Sequence, residues 1–382
     1  MKTSIMTEPT MTRTNTTTPS TPDNLHLPVA QPAVARQPVQ LKLGLDVHLR
    51  FSMAVLQKGH LTPQPPRKMS HSKLVAQVRQ WVQEGFQVHC VQESCGFGFV
   101  LHRQLQDAGA HSLVITPIRL NERGTPRKTD KLDAKALCLR LSRFLAGNRE
   151  ELNPIRIASV QEQQSREVSR RREFFTRQIR RLDNHARALV MEFEHQPLEW
   201  GWWGPRKWKR LSPLFDPWLK DRLVEMRELI QPFQEKVNAL THQLEQRLCG
   251  QEIPLGLGAL TLAVLDAEVC DWNRFRNRNA VGSYTGCCPG VYGSGGQQRY
   301  GSIDHHGNTR LRRQLVEAVW RFLLWQPDWP LRRKFLSRLT DSKAQRKKAV
   351  VALARALAVE LWRWRTGQCT LQQLELKTKR VD

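Results

Sequence analysis

Long apolar runs are missing from this chain. No stretch of 18 apolar residues occurs, and a helix needs about that many to cross a bilayer. The opening MKTSIMTEPTMTRTNTTTPS has no apolar centre, so a secretory signal is not expected. The eight cysteines, at 90, 95, 138, 249, 270, 287, 288 and 369, show no Cys-x-x-Cys spacing and no pairing with histidines. That pattern excludes the usual zinc sites and a disulfide framework, and it fits reduced thiols in a cytoplasm. Acidic charge is also scarce: 35 Asp plus Glu stand against 60 Lys plus Arg, for a net charge of +25. The pI near 10.4 calls for a polyanionic partner, because each phosphate contact releases condensed counterions. Charge of this kind does not imply catalysis.

Residues 1–40 carry nine Thr in the first 24 positions and six Pro overall, a composition expected to form a disordered tail. Order is expected to begin at LKLGLDV, 41–47, a strand that turns quickly into a second at FSMAVL, 51–56. A third strand is expected near LTPQPPRKMS. A helix follows at about 73–84, a strand at FQVHCVQE, a helix within GFGFVLHRQLQDAG, and a strand at SLVITP. A further helix runs from about Asp130 to Leu145, with Leu132, Ala136, Leu137, Leu139 and Leu141 as its buried side. The alternation gives an α/β fold, a mixed sheet with helices packed on it, over 41–158.

From Val160 the chain becomes polar, charged and free of proline to Ala188. Over 214–248, Leu223, Met226, Ile230, Phe233, Val237, Leu240, Leu244 and Leu248 recur every three or four residues, the spacing of a helical seam. Together 159–250 reads as a helical hairpin or stalk. Its connector, EWGWWGPRKWKR, holds four Trp and four Lys/Arg, and reads equally as an interface plug, a stacking surface for bases or a partly buried link. A mostly helical domain is expected over 251–368, closed by a core-forming helix in KKAVVALARALAVELWRW, with 369–382 a flexible tail.

Four acids stand out. Asp46 ends the first strand and Glu93 ends HCVQE, at the rim where open α/β sheets build their sites. Asp130 and Asp133 lie three apart at a helix start and share a face. Carboxylates in such numbers suit magnesium or manganese held against a phosphate. Arg127, Lys128, Lys131 and Lys135 are placed to hold a nucleic-acid backbone beside them. The plain alternative makes Asp130 and Asp133 capping and first-turn acids.

The segment SYTGCCPGVYGSGGQQRYGSIDHHGNTRLRR surrounds Ser294 with glycines, so a phosphodiester can come close, and Arg299, Arg310, Arg312 and Arg313 offer donors to its charge. A serine hydroxyl is a weak nucleophile without activation. Tyr292 and Tyr300 are rivals, and a simple phosphate-binding or flexible turn explains the glycines as well.

Taken in order, LGLDVH, QESCGFGFVLHRQLQDAGAHSLVITP, GTPRKTDKLDAKALCLRL, IPLGLGALTLAVLDAEV, the glycine–serine segment and KKAVVALARALA resemble the insertion-sequence transposases with a RuvC-like DEDD domain, serine-dependent recombinases of the bridge-RNA-guided type. The likeness spans about 41–365. It implies an RNase-H-like (RuvC-like) domain with Asp46, Glu93, Asp130 and Asp133 on Mg2+ or Mn2+, a coiled-coil stalk, and a C-terminal transposase domain in which Ser294 forms a 5′-phosphoserine link to DNA. It also implies element-end and target DNA as substrates, a structured guide RNA, dimers assembling to a tetramer, and a cytosolic, nucleoid-associated protein. Gly293 and the Cys287–Cys288 pair depart from the family pattern without removing a catalytic group.

Overall fold

The computed structural model describes residues 38–117, 129–194, 197–294, 297–303, 306–340 and 342–381. The chain divides into two compact units, 1–157 and 158–382. In the first, strands β1 (Gln40–Val47), β2 (Phe51–Lys58) and β3 (Arg67–Ser70) precede helix α1 (His71–Gln83). Then come β4 (Gln87–Glu93), α2 (Val100–Asp107), β5 (His111–Ile115) and α3 (Asp130–Leu145). The sheet order is β3-β2-β1-β4-β5. β1 runs antiparallel to β2 and parallel to β4, which is parallel to β5. The expected mixed sheet is therefore present.

Strand alternation divides the residues of β1 between two faces. Leu41, Leu43 and Leu45 pack with Leu74 and Val78 of α1 and Leu101 and Leu105 of α2. The opposite face, reached by Lys42, Gly44 and Asp46, carries α3. There Val55 and Met53 meet Ala134 and Cys138, while Val91 and Ile115 meet Leu137 and Leu141. Gly44 makes this contact possible: a Cβ there would stand 2.8 Å from the Cβ of Cys138 and closer still to the Ala134 carbonyl oxygen. Lys42 crosses the same layer, donating from Nζ to the Gly59 carbonyl at 3.1 Å and to Ser142 Oγ at 3.0 Å. Desolvation lowers its pKa, opposed only by the nearby Cys138.

One expectation about α3 is corrected. Its buried stripe is Asp133, Ala134, Leu137, Cys138 and Leu141, whereas Leu132 is exposed. The strand surface accepts small side chains over Gly44, so Ala134 and Cys138 face it and Leu132 turns outward. Asp133 is carried inward on the same stripe.

The second unit opens with α4 (Val160–Phe193), started by a reciprocal capping box between Ser159 and Glu162. α5 (Pro205–Leu211) and α6 (Pro217–Glu245) follow. α4 and α6 lie antiparallel: Ser165 meets Arg247, Arg172 meets Thr241, Phe175 stacks on Phe233 and Phe193 meets Trp218. Leu219, Leu223, Ile230, Val237, Leu240 and Leu244 are buried along the expected seam. The tryptophan segment closes the hairpin. Trp202 is fully buried and its Nε1 donates to Asp183 Oδ1 at 3.1 Å, while Trp203 is buried beside it and Trp200 remains exposed.

Beyond it lie β6 (Glu252–Pro254), α7 (Ala259–Val269), α8 (Arg278–Thr285), β7 (Pro289–Ser294), β8 (Gln297–Ile303) and α9 (Thr309–Trp325). The short α10 (Pro330–Lys334) and α11 (Leu336–Thr340), then α12 (Lys343–Arg365) and β9 (Thr378–Arg380), complete the unit. Leu262, Leu265, Leu315, Val319, Phe322, Leu353 and Leu357 form its core. The closing residues are not a flexible tail: β9 pairs antiparallel with β6, and Cys369, Leu371, Leu374 and Leu376 join the core. Their apolar spacing is too sparse to read as an element, yet pairing with β6 and two hydrogen bonds between Gln326 and the Lys377 backbone anchor them.

Candidate functional site

Asp46 is the next-to-last residue of β1 and Glu93 the last of β4. The parallel register pairs Leu45 with Gln92, so Asp46 and Glu93 each stand one step further along neighbouring strands. Both therefore fall on the face that carries α3. α3 runs antiparallel to β1, with Ser142 near Lys42 and Ala134 near Gly44, which brings its first turn to the level of Asp46. Asp130 and Asp133 occupy that turn, where the helix dipole favours negative charge.

The tightest grouping includes a residue that sequence reasoning passed over. One ligand atom each from Asp46, His48 and Asp130 lies within 4.8 Å of the others. His48 Nε2 is 3.4 Å from Asp46 Oδ2 and 3.1 Å from Asp130 Oδ2. The two-residue spacing of Asp46 and His48 was the available signal. The approach of Asp130 comes only from the packing of α3. The His48 ring stacks on Phe51 at 4.5 Å, and Lys68 Nζ sits 4.0 Å from that Phe51 ring. His48 Nε2 is buried, close to two carboxylates, and in hydrogen-bond geometry with neither.

Ligands in adjacent positions on an octahedral ion with bonds of about 2.1 Å lie about 3 Å apart. The His48–Asp130 and His48–Asp46 separations fit that spacing, and two anionic oxygens with one imidazole are a chemically suitable donor set for a divalent cation. Glu93 is half-buried and Asp133 buried. Neither belongs to the three-residue group, although both carry interactions of their own. Lys131 and Lys135 are exposed on α3, while Arg127 and Lys128 lie outside the described residues.

In the second unit, Ser294 ends β7 opposite Gln297 of β8, and Gly295 and Gly296 lie outside the described residues. Arg299, opposite Tyr292, is exposed. The other candidate arginines are engaged at the hairpin's base. Arg310 and Arg313 both hold the Glu173 carboxylate of α4, at 2.8 and 2.9 Å, and Arg312 donates to the Gly286 carbonyl at 3.2 Å. Burial opposes ionisation of Glu173, but these two arginines outweigh it and hold the carboxyl below its usual range.

Comparison with known proteins matches residues 251–334 to the profile described as the Transposase IS116/IS110/IS902 family. That segment spans β6 to α10 and contains the Ser294 hairpin. That match makes the C-terminal segment similar to insertion-sequence transposases, and relatives aligned over most of this chain carry the same designation. It is 27% identical over 320 residues to a Sinorhizobium fredii protein designated transposase y4rJ, covering 75% of this chain and 79% of that one. A Pseudomonas aeruginosa protein designated a family 20 transposase is 26% identical over 64% of this chain and 74% of its own length. The transposase for insertion sequence element IS1111A of Coxiella burnetii is 24% identical, over 73% of this chain and 78% of its own. These alignments reach well beyond the matched C-terminal segment. Among the described residues, no helix is long and apolar enough to cross a membrane.

Proposed function

We propose that this chain is a transposase that excises and inserts an insertion-sequence element by metal-assisted strand cleavage through a covalent phosphoserine. The carrying observation is the convergence of Asp46, His48 and Asp130 at the carboxyl end of β1, over the first turn of α3. In this reading residues 41–158 form an RNase-H-like domain, 159–250 a coiled-coil stalk and 251–368 the transposase domain. Asp46 and Asp130 would hold Mg2+ or Mn2+ with His48, and Glu93 and Asp133 would complete the acidic set. Such an ion would neutralise phosphate charge and favour a polarised phosphorus.

The chain's own groups carry the rest. The Ser294 hydroxyl attacks the scissile phosphorus; its Oγ–P bond forms as the P–O3′ bond breaks. The departing O3′ takes a proton and leaves as a 3′-hydroxyl. The phosphoserine ester conserves the bond energy, so a 3′-hydroxyl from another strand can attack it and regenerate the serine. Lys131 and Lys135 lie beside the acids to hold the DNA backbone, and Arg299 contributes charge on the serine hairpin. Arg127 and Lys128 are assigned the same backbone role. A structured RNA from the element's flank would pair with element-end and target DNA. Dimers joining to a tetramer would supply acids from one subunit and serine from another, in the cytosol at the nucleoid.

A junction-resolving nuclease would use the same acids with water and leave no adduct; a non-catalytic scaffold would need neither. Trapping of a protein–DNA adduct on element-end DNA separates them. The adduct is expected with the wild-type chain and absent in Ser294→Ala; an adduct that survives Ser294→Ala refutes the serine assignment. Transposition in Asp130→Asn/Asp133→Asn should vanish while DNA binding persists, and retained transposition would refute the acidic site.

A further inference from the structure

The chain enters and leaves the serine hairpin at two points packed on each other, and this neck is held by groups the proposed reaction does not use. α8 ends at Gly286, in the left-handed conformation at φ 65°, and α9 begins at its N-cap Asn308. Gly307 packs directly on Gly286: a Cβ on Gly307 would come within 2.6 Å of the Gly286 Cα. The Asn308 backbone N–H donates to the Tyr284 carbonyl at 2.8 Å. The two ends of the excursion from 286 to 307 are thus stapled backbone to backbone.

Behind the staple lies Glu268 of α7, with no exposed surface. Arg170 of α4 grips it with two parallel bonds, Nε to Oε1 and Nη2 to Oε2, each 3.0 Å. Asn308 Nδ2 donates to Oε2 at 2.9 Å, and Tyr284 Oη donates to the Glu268 backbone carbonyl at 2.9 Å. One buried acid therefore touches the residue that enters the neck, the residue that leaves it, and the stalk helix. A buried carboxylate is expensive unless paired and hydrogen-bonded, and among the described residues its hydrogen bonds come from Asn308 at the neck and Arg170 of α4. Burial opposes its ionisation, but Arg170, Asn308 and Arg166 prevail and hold the carboxyl below the usual range. Three residues along α4, Glu173 clasps Arg310 and Arg313 in the first two turns of α9.

We infer that Glu268 is a positioning residue for Ser294, clamping the neck of its hairpin to Arg170 of the stalk through Asn308 and Tyr284. The inference rests on the proposed role of Ser294. An alternative use for the cluster, as simple core filling, would be met more cheaply by apolar side chains of the same volume.

Asn308→Ser provides the test. Serine keeps the capping oxygen that serves Arg310 N and Leu311 N, but it lacks the amide that reaches Glu268. Arg170→Lys is the second variant: it keeps the charge at a half-exposed side chain and loses the bidentate grip. The full chain is expressed with its own flanking DNA, covalent adducts are recovered under denaturing conditions, and DNA occupancy is measured separately by crosslinking. Both variants are expected to keep occupancy within about twofold and to form about ten- to a hundredfold less adduct per bound DNA. Amide exchange at 286–294 and 297–303 should quicken while α7 and α12 stay protected. Asn308→Asp, which sets a second carboxylate against Glu268, should be worse than Asn308→Ser. Wild-type adduct per bound DNA in both variants overturns the inference, as does a loss that merely tracks occupancy or melting temperature. An adduct insensitive to Ser294→Ala overturns the underlying reading instead, so the two failures are distinct.

Discussion

Replacing Gly44 with alanine adds a methyl carbon 2.8 Å from the Cβ of Cys138, and nearer still to the Ala134 carbonyl oxygen and the Cys138 nitrogen. Carbon atoms rest comfortably about 3.5–4.0 Å apart, so α3 must withdraw by about 1 Å. The obstacle is helix backbone, which has no rotamer to change. Overpacking of this kind costs about 1–3 kcal/mol. The larger effect is geometric: Asp130 rides on the first turn of α3, while Asp46 and His48 stay with β1. Metal ligands tolerate displacements of only about 0.2 Å, so Mn2+ affinity should fall at least about tenfold. Calorimetric titration with Mn2+, beside thermal denaturation, measures both terms. Gly96→Ala is the control, because a Cβ there meets nothing within 4 Å. Unchanged Mn2+ affinity in a destabilised Gly44→Ala chain would refute the dependence of the cluster on this helix–strand contact.

Other substitutions probe separate parts of the molecule. Trp202→Ala empties a fully buried site and removes the indole donor to Asp183, so unfolding of the second unit should cost about 3–5 kcal/mol less, read by denaturant titration. Lys131→Ala/Lys135→Ala should weaken DNA binding regardless of sequence and reduce the slope of log K against log salt by about 2. Burial pushes the Glu360 carboxyl up to about 7, against the lowering influence of Trp329 Nε1 and Arg363. Its folded value lies above its unfolded one, so its neutral form stabilises the fold below about pH 4.5, and that stability is lost as pH rises towards 7. Glu360→Gln keeps an acceptor for Trp329 and should be more stable by up to about 3 kcal/mol at pH 8, with little difference at pH 4.5; a pH-independent difference would refute the assignment.

Local pattern carried much of the architecture. The LGLDV and FSMAVL strands, the 130–145 helix and the α6 seam were legible because their apolar periods reflect which face is buried. What failed was local reading of long-range contact. Leu132 looked like a core residue until Gly44 selected the Ala134–Cys138 side of α3. The 369–381 segment looked like a tail because its partners, β6 and Gln326, lie far away in sequence. At the candidate site the acids were visible as strand-end and helix-start residues. His48 was visible only as a neighbour of Asp46, because its second partner, Asp130, is brought in by tertiary packing. Arg310, Arg312 and Arg313 read as free donors, yet two hold Glu173 and one a backbone carbonyl.

On the proposed reading, in which Asp46 and Ser294 act in the reaction, the two units solve one positioning problem in the same way. A strand end is a good place for a reactive side chain, since it reaches the rim of a sheet, but it is also where backbone pairing gives out. In each unit the loss is offset by backbone brought into direct contact where a side chain would intervene. Gly44 lets α3 lie on β1 just before Asp46, and Gly307 lets the neck close on Gly286 below Ser294. Both contacts are then secured by buried polar groups, Lys42 on Ser142 in one unit and Glu268 on Arg170 and Asn308 in the other. Phosphoryl transfer asks for placement more than for unusual reactivity. A chain built this way spends its rigidity immediately behind the groups that need it. Substitutions at these glycines and their polar locks should therefore lower reaction per bound DNA before they lower DNA binding, whereas loss of surface lysines such as Lys131 and Lys135 should do the reverse.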